Sequence, residues 1–228
     1  MGQRVVACAT DHPHLEVIAT ADRGVNSGDF AACDVIVDFS VAAATAGLLS
    51  ILSDSKAALV TGVTGRTEAQ HSQVLAEGDH RPVFYAANFS VGVAVLNRLV
   101  AEASRALGDT FDLEVFEIHH RRKADAPSGT ALQLAETAAQ AASIPWPDGR
   151  RVRDGQTGLR GDAEVGTAAL RGGSVAGEHT VYLFGEAERL ELTHRATDRD
   201  VFVYGALRAA YWVASQPVGL YGMTDLLS

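Results

Sequence analysis

The first ninety or so residues set a rhythm that few folds accept. Short apolar runs are separated by stretches long enough for a helix. Residues 15–21 form the first run, closed by the turn Asp22-Arg23-Gly24. Residues 34–39, 57–62 and 82–88 form the next three. Runs with no polar face fit strands buried on both sides, as in a parallel sheet. Between them, 42–53 is rich in alanine and leucine, and 67–77 reads as a polar helix. Ahead of them, Val5, Val6 and Ala9 mark an amphipathic helix ending near Asp11-His12-Pro13-His14. Strand and helix in alternation predict an α/β doubly wound sheet.

The rhythm changes after a long helix over 91–107, stopped by Gly108-Asp109. Residues 111–119 read as a strand, and 128–143 as an alanine-rich helix capped by Ser128 and stopped by Pro145. The charged, glycine-containing stretch 147–164 has no periodicity and reads as a loop. Three strand-like runs follow closely, at 165–170, 179–184 and 189–195, and short links between strands predict antiparallel pairing. A last helix covers 201–214. The expected architecture is a nucleotide-type α/β domain followed by an α+β domain on an open, mixed sheet.

Composition removes several function classes. The formal net charge of −9 argues against nucleic-acid binding, which needs basic surface. No run approaches the ~18 apolar residues of a membrane span, and the start carries no secretory pattern. Cys8 and Cys33 have neither metal-ligand nor disulfide spacing and read as reduced cytosolic thiols. No His, Cys and carboxylate spacing predicts a metal site. His12, His14, His71 and His80 lie in turns or polar stretches and read as solvent-facing, while His179 and His194 read as packed.

An acidic chain that handles an anion must gather positive charge in one place. His119-His120-Arg121-Arg122-Lys123 is that place, at the carboxyl end of a strand, with a helix opening at Ser128-Gly129-Thr130 shortly after. Free N–H groups at a helix start suit a carboxylate or phosphate, and a histidine beside them could give up a proton. The same residues also fit a solvated charge cluster before an ordinary capped helix. A second set lies at the carboxyl ends of the parallel strands: Asp38-Phe39-Ser40, Gly62-Val63-Thr64-Gly65 and Ala87-Asn88-Phe89-Ser90. Ligands of open α/β sheets bind there, although each segment alone also fits a plain strand-to-helix turn. Asp22 is placed to meet an adenosine ribose, which favours NAD, and Arg23 to meet a 2′-phosphate, which favours NADP.

Together these segments resemble the dihydrodipicolinate reductase family of bacterial lysine biosynthesis. The run Glu117-Ile118-His119-His120-Arg121-Arg122-Lys123-Ala124-Asp125-Ala126-Pro127-Ser128-Gly129-Thr130-Ala131 matches that family's E-x-H-H-x-x-K-x-D-A-P-S-G-T-A signature without a gap. Val37-Asp38-Phe39-Ser40, Gly62-Val63-Thr64-Gly65 (G-T-T-G in the family) and Ala86-Ala87-Asn88-Phe89-Ser90 match in the right order. So do Arg171-Gly172-Gly173-Ser174-Val175-Ala176-Gly177-Glu178-His179-Thr180 and Gly205-Ala206-Leu207-Arg208.

The resemblance implies a cytoplasmic homotetramer that reduces 4-hydroxy-tetrahydrodipicolinate, a cyclic dicarboxylate, with NADH or NADPH in lysine and diaminopimelate biosynthesis. It makes His119 the general acid and Lys123 the second catalytic group. His120, Gly129, Thr130 and Arg208 become substrate-binding. Asp22, Arg23, Phe39, Gly62, Thr64, Asn88 and Phe89 become cofactor-binding. It places a Rossmann-like dinucleotide domain at 1–89 plus 206–228, and a substrate and tetramerisation domain at 90–205. The family opens with a strand and a glycine loop, V-x-V-x-G-A-x-G-R-M-G, whose last two residues align with Met1-Gly2. The expectation is therefore an N-terminally truncated, incomplete dinucleotide domain. Two alternatives follow: an inactive or regulatory subunit, or another nicotinamide-dependent dehydrogenase on the same scaffold.

Overall fold

The computed structural model describes residues 1–22 and 25–228. In chain order the elements are α1 (Gly2–Thr10), β1 (Ala19–Asp22), β2 (Val25–Gly28), β3 (Val35–Asp38), α2 (Thr45–Ser53), β4 (Ala58–Thr61), α3 (Glu68–Ala76) and β5 (Pro82–Tyr85). There follow α4 (Val91–Leu107), β6 (Asp112–His119), α5 (Gly129–Ala141), β7 (Arg150–Arg151), β8 (Val165–Arg171), β9 (Gly177–Phe184), β10 (Arg189–Ala196), α6 (Asp200–Val213) and β11 (Gly219–Tyr221). The chain divides into two compact units, Met1–Val91 with Asp200–Ser228, and Gly92–Arg199.

The first unit holds a four-stranded parallel sheet in the order β11-β5-β4-β3. Every residue of β4 is buried, because both faces of the sheet are covered. On one face Leu48, Leu52 and Val74 pack with Ile36, Leu59 and Val83. On the other, Ala206, Ala209, Ala210 and Val213 of α6 pack with Val60 and Phe84. The continuous apolar runs are the sequence trace of that double cover. Thr67 and Gln70 form a capping box that starts α3. Val5 and Ala9 of α1 lie against Val203 and Leu207 of α6, and Arg4 pairs with Asp200.

Two expectations change here. Residues 15–21 do not add a strand to the parallel sheet. Residues 15–18 carry no regular structure, and β1 pairs antiparallel with β2 as a separate two-stranded ribbon. β1 offers only Ala19, Thr20, Ala21 and Asp22, too little apolar area to compete for a sheet position, and it takes the partner closest in the chain. The tail adds a strand that no apolar run announces: β11 pairs parallel with β5.

The second unit is a five-stranded mixed sheet in the order β10-β9-β6-β8-β7. The expected antiparallel pairing holds for β9 with β10, but β8 and β9 are not neighbours. β6 lies between them, parallel to β8 and antiparallel to β9. The link after β8 crosses the end of β6, where Gly172 N–H donates to the His119 carbonyl and His120 N–H to the Val175 carbonyl. Inserting β6 buries its inward side chains between two neighbours rather than one. Leu96 and Val100 of α4, with Leu134 and Ala138 of α5, cover this inward face at Leu113, Val115, Val165, Val181 and Leu183. Within the stretch read as a loop, β7 adds two residues beside β8.

Candidate active site

The register of the second sheet builds a polar patch at the carboxyl end of β6. Inward positions alternate Leu113, Val115, Glu117, His119. Glu117 lies level with Ala169 on β8 and His179 on β9, and His179 level with His194 on β10. An apolar face thus becomes a polar one within two residue pairs. Ser128 caps α5 by accepting from Ala131 N–H, and its hydroxyl lies 3.2 Å from His179 Nε2. The basic turn sits beside this patch. Lys123 pairs with Asp125 at 2.9 Å, and His120 Nδ1 is buried without a hydrogen-bond partner among the described residues.

Glu117 organises the patch. It is fully buried, its Oε1 accepts from Arg171 Nη2 at 2.6 Å and Ser128 N–H at 3.0 Å, and its Oε2 accepts from Arg171 Nη1 at 2.7 Å. His119 Nδ1 lies 2.5 Å from Oε2. Burial alone pushes the Glu117 carboxyl up. The Arg171 bonds, then His119 and the Ser128 N–H, outweigh it and hold the carboxyl below its ordinary range. For His119, burial pulls the imidazole down, Glu117 opposes it, and the charges of Lys123 and Arg171 add to the lowering. Burial, followed by His119, pulls His179 down to about 4. Lys123 holds the Asp125 carboxyl below its ordinary range.

In the first unit, an open cleft of about 240 Å³ lies at the carboxyl ends of β4 and β5, lined by Val63, Thr64, Gly65, Arg66, Glu68, His71 and Tyr85. Gly65 has φ +77 and open space where a side chain would stand. Phe39 and Phe89 meet edge-on at 5.3 Å over Gly62, and a Cβ there would fall 2.4 Å from the Phe39 ring. Asn88 accepts from Ser90 N–H at 2.8 Å and shapes the turn into α4. Arg66 offers no free charge to this cleft. Its guanidinium, with only 1% of the side chain exposed, is tied to Asp38 at 2.7 Å and to the hydroxyls of Thr61 and Thr45.

The structure brings His119, Lys123, His120, Gly129 and Thr130 to one end of the second unit. Phe39, Gly62, Thr64, Asn88 and Phe89 lie at the carboxyl ends of the parallel strands in the first. Asp22 is exposed in the β1–β2 ribbon, apart from the parallel sheet. Arg23 lies outside the described residues. Arg208 is exposed on α6, in the first unit. His71, read as solvent-facing, is half-buried with its ring 4.8 Å from that of Tyr85. Sequence reasoning passed over the roles of Glu117, Arg171, Asp38 and Arg66. For Glu117 a signal existed: an acid in step with Leu113 and Val115 on an alternating strand is a buried charge that requires a partner.

A parallel nucleotide-type sheet joined to an α+β unit that carries a histidine–carboxylate pair is the build of a two-domain, dinucleotide-dependent oxidoreductase. The family model described as "Dihydrodipicolinate reductase, N-terminus" matches residues 1–89, and "Dihydrodipicolinate reductase, C-terminus" matches 92–227. The 4-hydroxy-tetrahydrodipicolinate reductase of Myxococcus xanthus is 48% identical over 213 residues, 93% of this chain and 78% of the relative. That of Wolinella succinogenes is 48% identical over 198 residues, covering 86% and 77%. A dipicolinate-bound dihydrodipicolinate reductase from Paenisporosarcina sp. TG-14 shares the fold, with a TM-score of 0.66, 24% identity, and coverage of 84% of this chain and 73% of that one. The chain belongs to the dihydrodipicolinate reductase family.

Proposed function

We propose that this chain reduces 4-hydroxy-tetrahydrodipicolinate to tetrahydrodipicolinate with NADH or NADPH, a step of lysine and diaminopimelate biosynthesis. The observation that carries the reading is a buried His119–Glu117 pair standing beside Lys123 and the capped N-terminus of α5. An acid next to a site for carboxylates is what this reduction needs. Two relatives named 4-hydroxy-tetrahydrodipicolinate reductase, each 48% identical to this chain, support it.

The residues at the sheet end of the first unit fit a dinucleotide. The cleft at β4 and β5 is open, and Gly65 leaves backbone accessible to a ligand. Phe39, Gly62, Thr64, Asn88 and Phe89 would hold the cofactor, whose reduced nicotinamide supplies hydride. Asp22 and Arg23 are assigned to its adenosine end. In the second unit, His120, Gly129 and Thr130 bind the substrate carboxylates at the N-terminal end of α5. His119 delivers a proton as negative charge grows on the substrate, and Lys123 stabilises that charge. The bound carboxylates offset the cations around His119 and favour its protonated form, against the lowering it feels in the free chain.

The first unit acts as the dinucleotide domain, and the second as the substrate and assembly domain. Phe116, Ile118, Leu170, Tyr182 and Phe184 line the sheet face opposite α4 and α5; Leu170 is 54% exposed and Phe184 37%. That face supports a homotetramer built through the sheet. We assign the protein to the cytoplasm with the other enzymes of this route.

The test is nucleotide oxidation by the purified chain, with substrate generated in the cuvette by the preceding synthase. We expect turnover, lowered on the order of 10²-fold or more in His119→Ala, with the chain still folded. No turnover with either nucleotide would refute the reading for this chain. A folded chain that binds no nucleotide would favour an inactive subunit, and turnover on amino acids alone another dehydrogenase.

A further inference from the structure

Glu117 is 0% exposed, at a position where the strand pattern calls for an aliphatic side chain. Desolvation heavily penalises a carboxylate there unless its acceptor sites are filled. Three of its contacts leave no choice of direction. Two come from the Arg171 guanidinium and one from the Ser128 N–H, and none of these groups can accept. They hold the carboxylate as the anion. An anion offers only lone pairs, so the hydrogen on the 2.5 Å contact with His119 belongs to Nδ1. The exchangeable proton must then ride on Nε2. That nitrogen lies toward Gly177, where an added Cβ would stand 3.0 Å away and crowd it.

We propose that Glu117, clamped by Arg171 and the Ser128 N–H, is a positioning residue that fixes His119 as its Nδ1–H tautomer and so places the deliverable proton on Nε2. The proposal rests on the reading of His119 as the acid. The charged and titratable groups around this ring are Glu117 on its own strand and Arg171 on β8. His179 on β9 has its ring 5.1 Å away, with His194 beyond it on β10. Lys123 and Asp125 lie in the following turn.

The experiment is ¹⁵N NMR of the full chain labelled in its histidine rings, with His119 assigned by its loss in His119→Ala. The expected wild-type spectrum has a protonated Nδ1 and a bare Nε2 in the neutral ring. A wild-type ring protonated at Nε2 would overturn the proposal without any variant. Glu117→Gln inverts the tautomer for a geometric reason. An amide nitrogen at the Oε1 place would face two donors, Arg171 Nη2 and Ser128 N–H. At the Oε2 place it faces one, Arg171 Nη1, and can donate to His119 Nδ1. The ring proton then moves to Nε2, and kcat falls on the order of 10²-fold with nucleotide KM unchanged. Glu117→Asp keeps the anion, the wild-type tautomer and most of kcat. Wild-type tautomer and kcat in Glu117→Gln would overturn the proposal. Wild-type turnover in His119→Ala would instead remove the acid assignment, while the spectrum still decides what Glu117 does to the ring.

Discussion

Acid loosens the second unit through His179. The residue is 4% exposed, its Nε2 lies 3.2 Å from Ser128 Oγ, and its Nδ1 has no partner among the described residues. Burial first, then the charge of His119, with smaller pushes from His194 and Lys123 and against a pull from Glu117, brings it from 6.5 to about 4. Between those values the folded chain keeps the ring neutral while the unfolded chain takes up a proton. The stability contributed by His179 is therefore complete above about pH 6.5 and is lost as the pH falls towards about 4. At about 1.4 kcal/mol per pH unit the whole span is worth about 3 kcal/mol, of which about 2 kcal/mol lies between about pH 7 and about pH 4.5. Urea unfolding at those two values measures it. In a Trp212→Phe background the signal comes from Trp146, which packs against the core of the second unit. His179→Gln should flatten the pH dependence by about 2 kcal/mol relative to the parent. Glu117 and Asp125 lose their own stabilisation at lower pH, equally in both proteins. Equal slopes in parent and variant, or an NMR titration of His179 near 6.5, would refute the reasoning.

Two further perturbations probe the first unit. Asp38→Ala strips the buried Arg66 guanidinium of its carboxylate, and we expect a loss of about 3–5 kcal/mol in urea unfolding read from Trp212. A loss below about 1 kcal/mol would mean that the neutral hydroxyls of Thr45 and Thr61 suffice. Gly62→Ala places a Cβ 2.4 Å from the Phe39 ring and displaces it. Nucleotide affinity, read by NADH fluorescence, should fall at least ~10-fold with the unit still folded, whereas unchanged affinity would remove Phe39 and Gly62 from the cofactor site.

The runs around Ile36, Leu59 and Val83 announced parallel strands because burial on both faces leaves no polar position to disguise them. α4 ends where Gly108 follows Leu107, and α5 starts just after its cap Ser128, because caps are local chemistry readable from a few adjacent residues. The ungapped run from Glu117 to Ala131 carried the family, and the comparisons agree. Partner choice was not legible in the same way. β8 pairs with β6 rather than β9, β1 pairs with β2, and β11 joins the parallel sheet, since pairing depends on competition among segments distant in the chain. The polar site follows the same division. His119 and Lys123 stand out by type and spacing. The clamp on Glu117 reaches across 54 residues to Arg171, and the Asp38–Arg66 pair across 28. Local periodicity fixes which face a side chain occupies. Only the assembled sheet decides which charge stands opposite it, because a buried ion finds its counterion through tertiary contact.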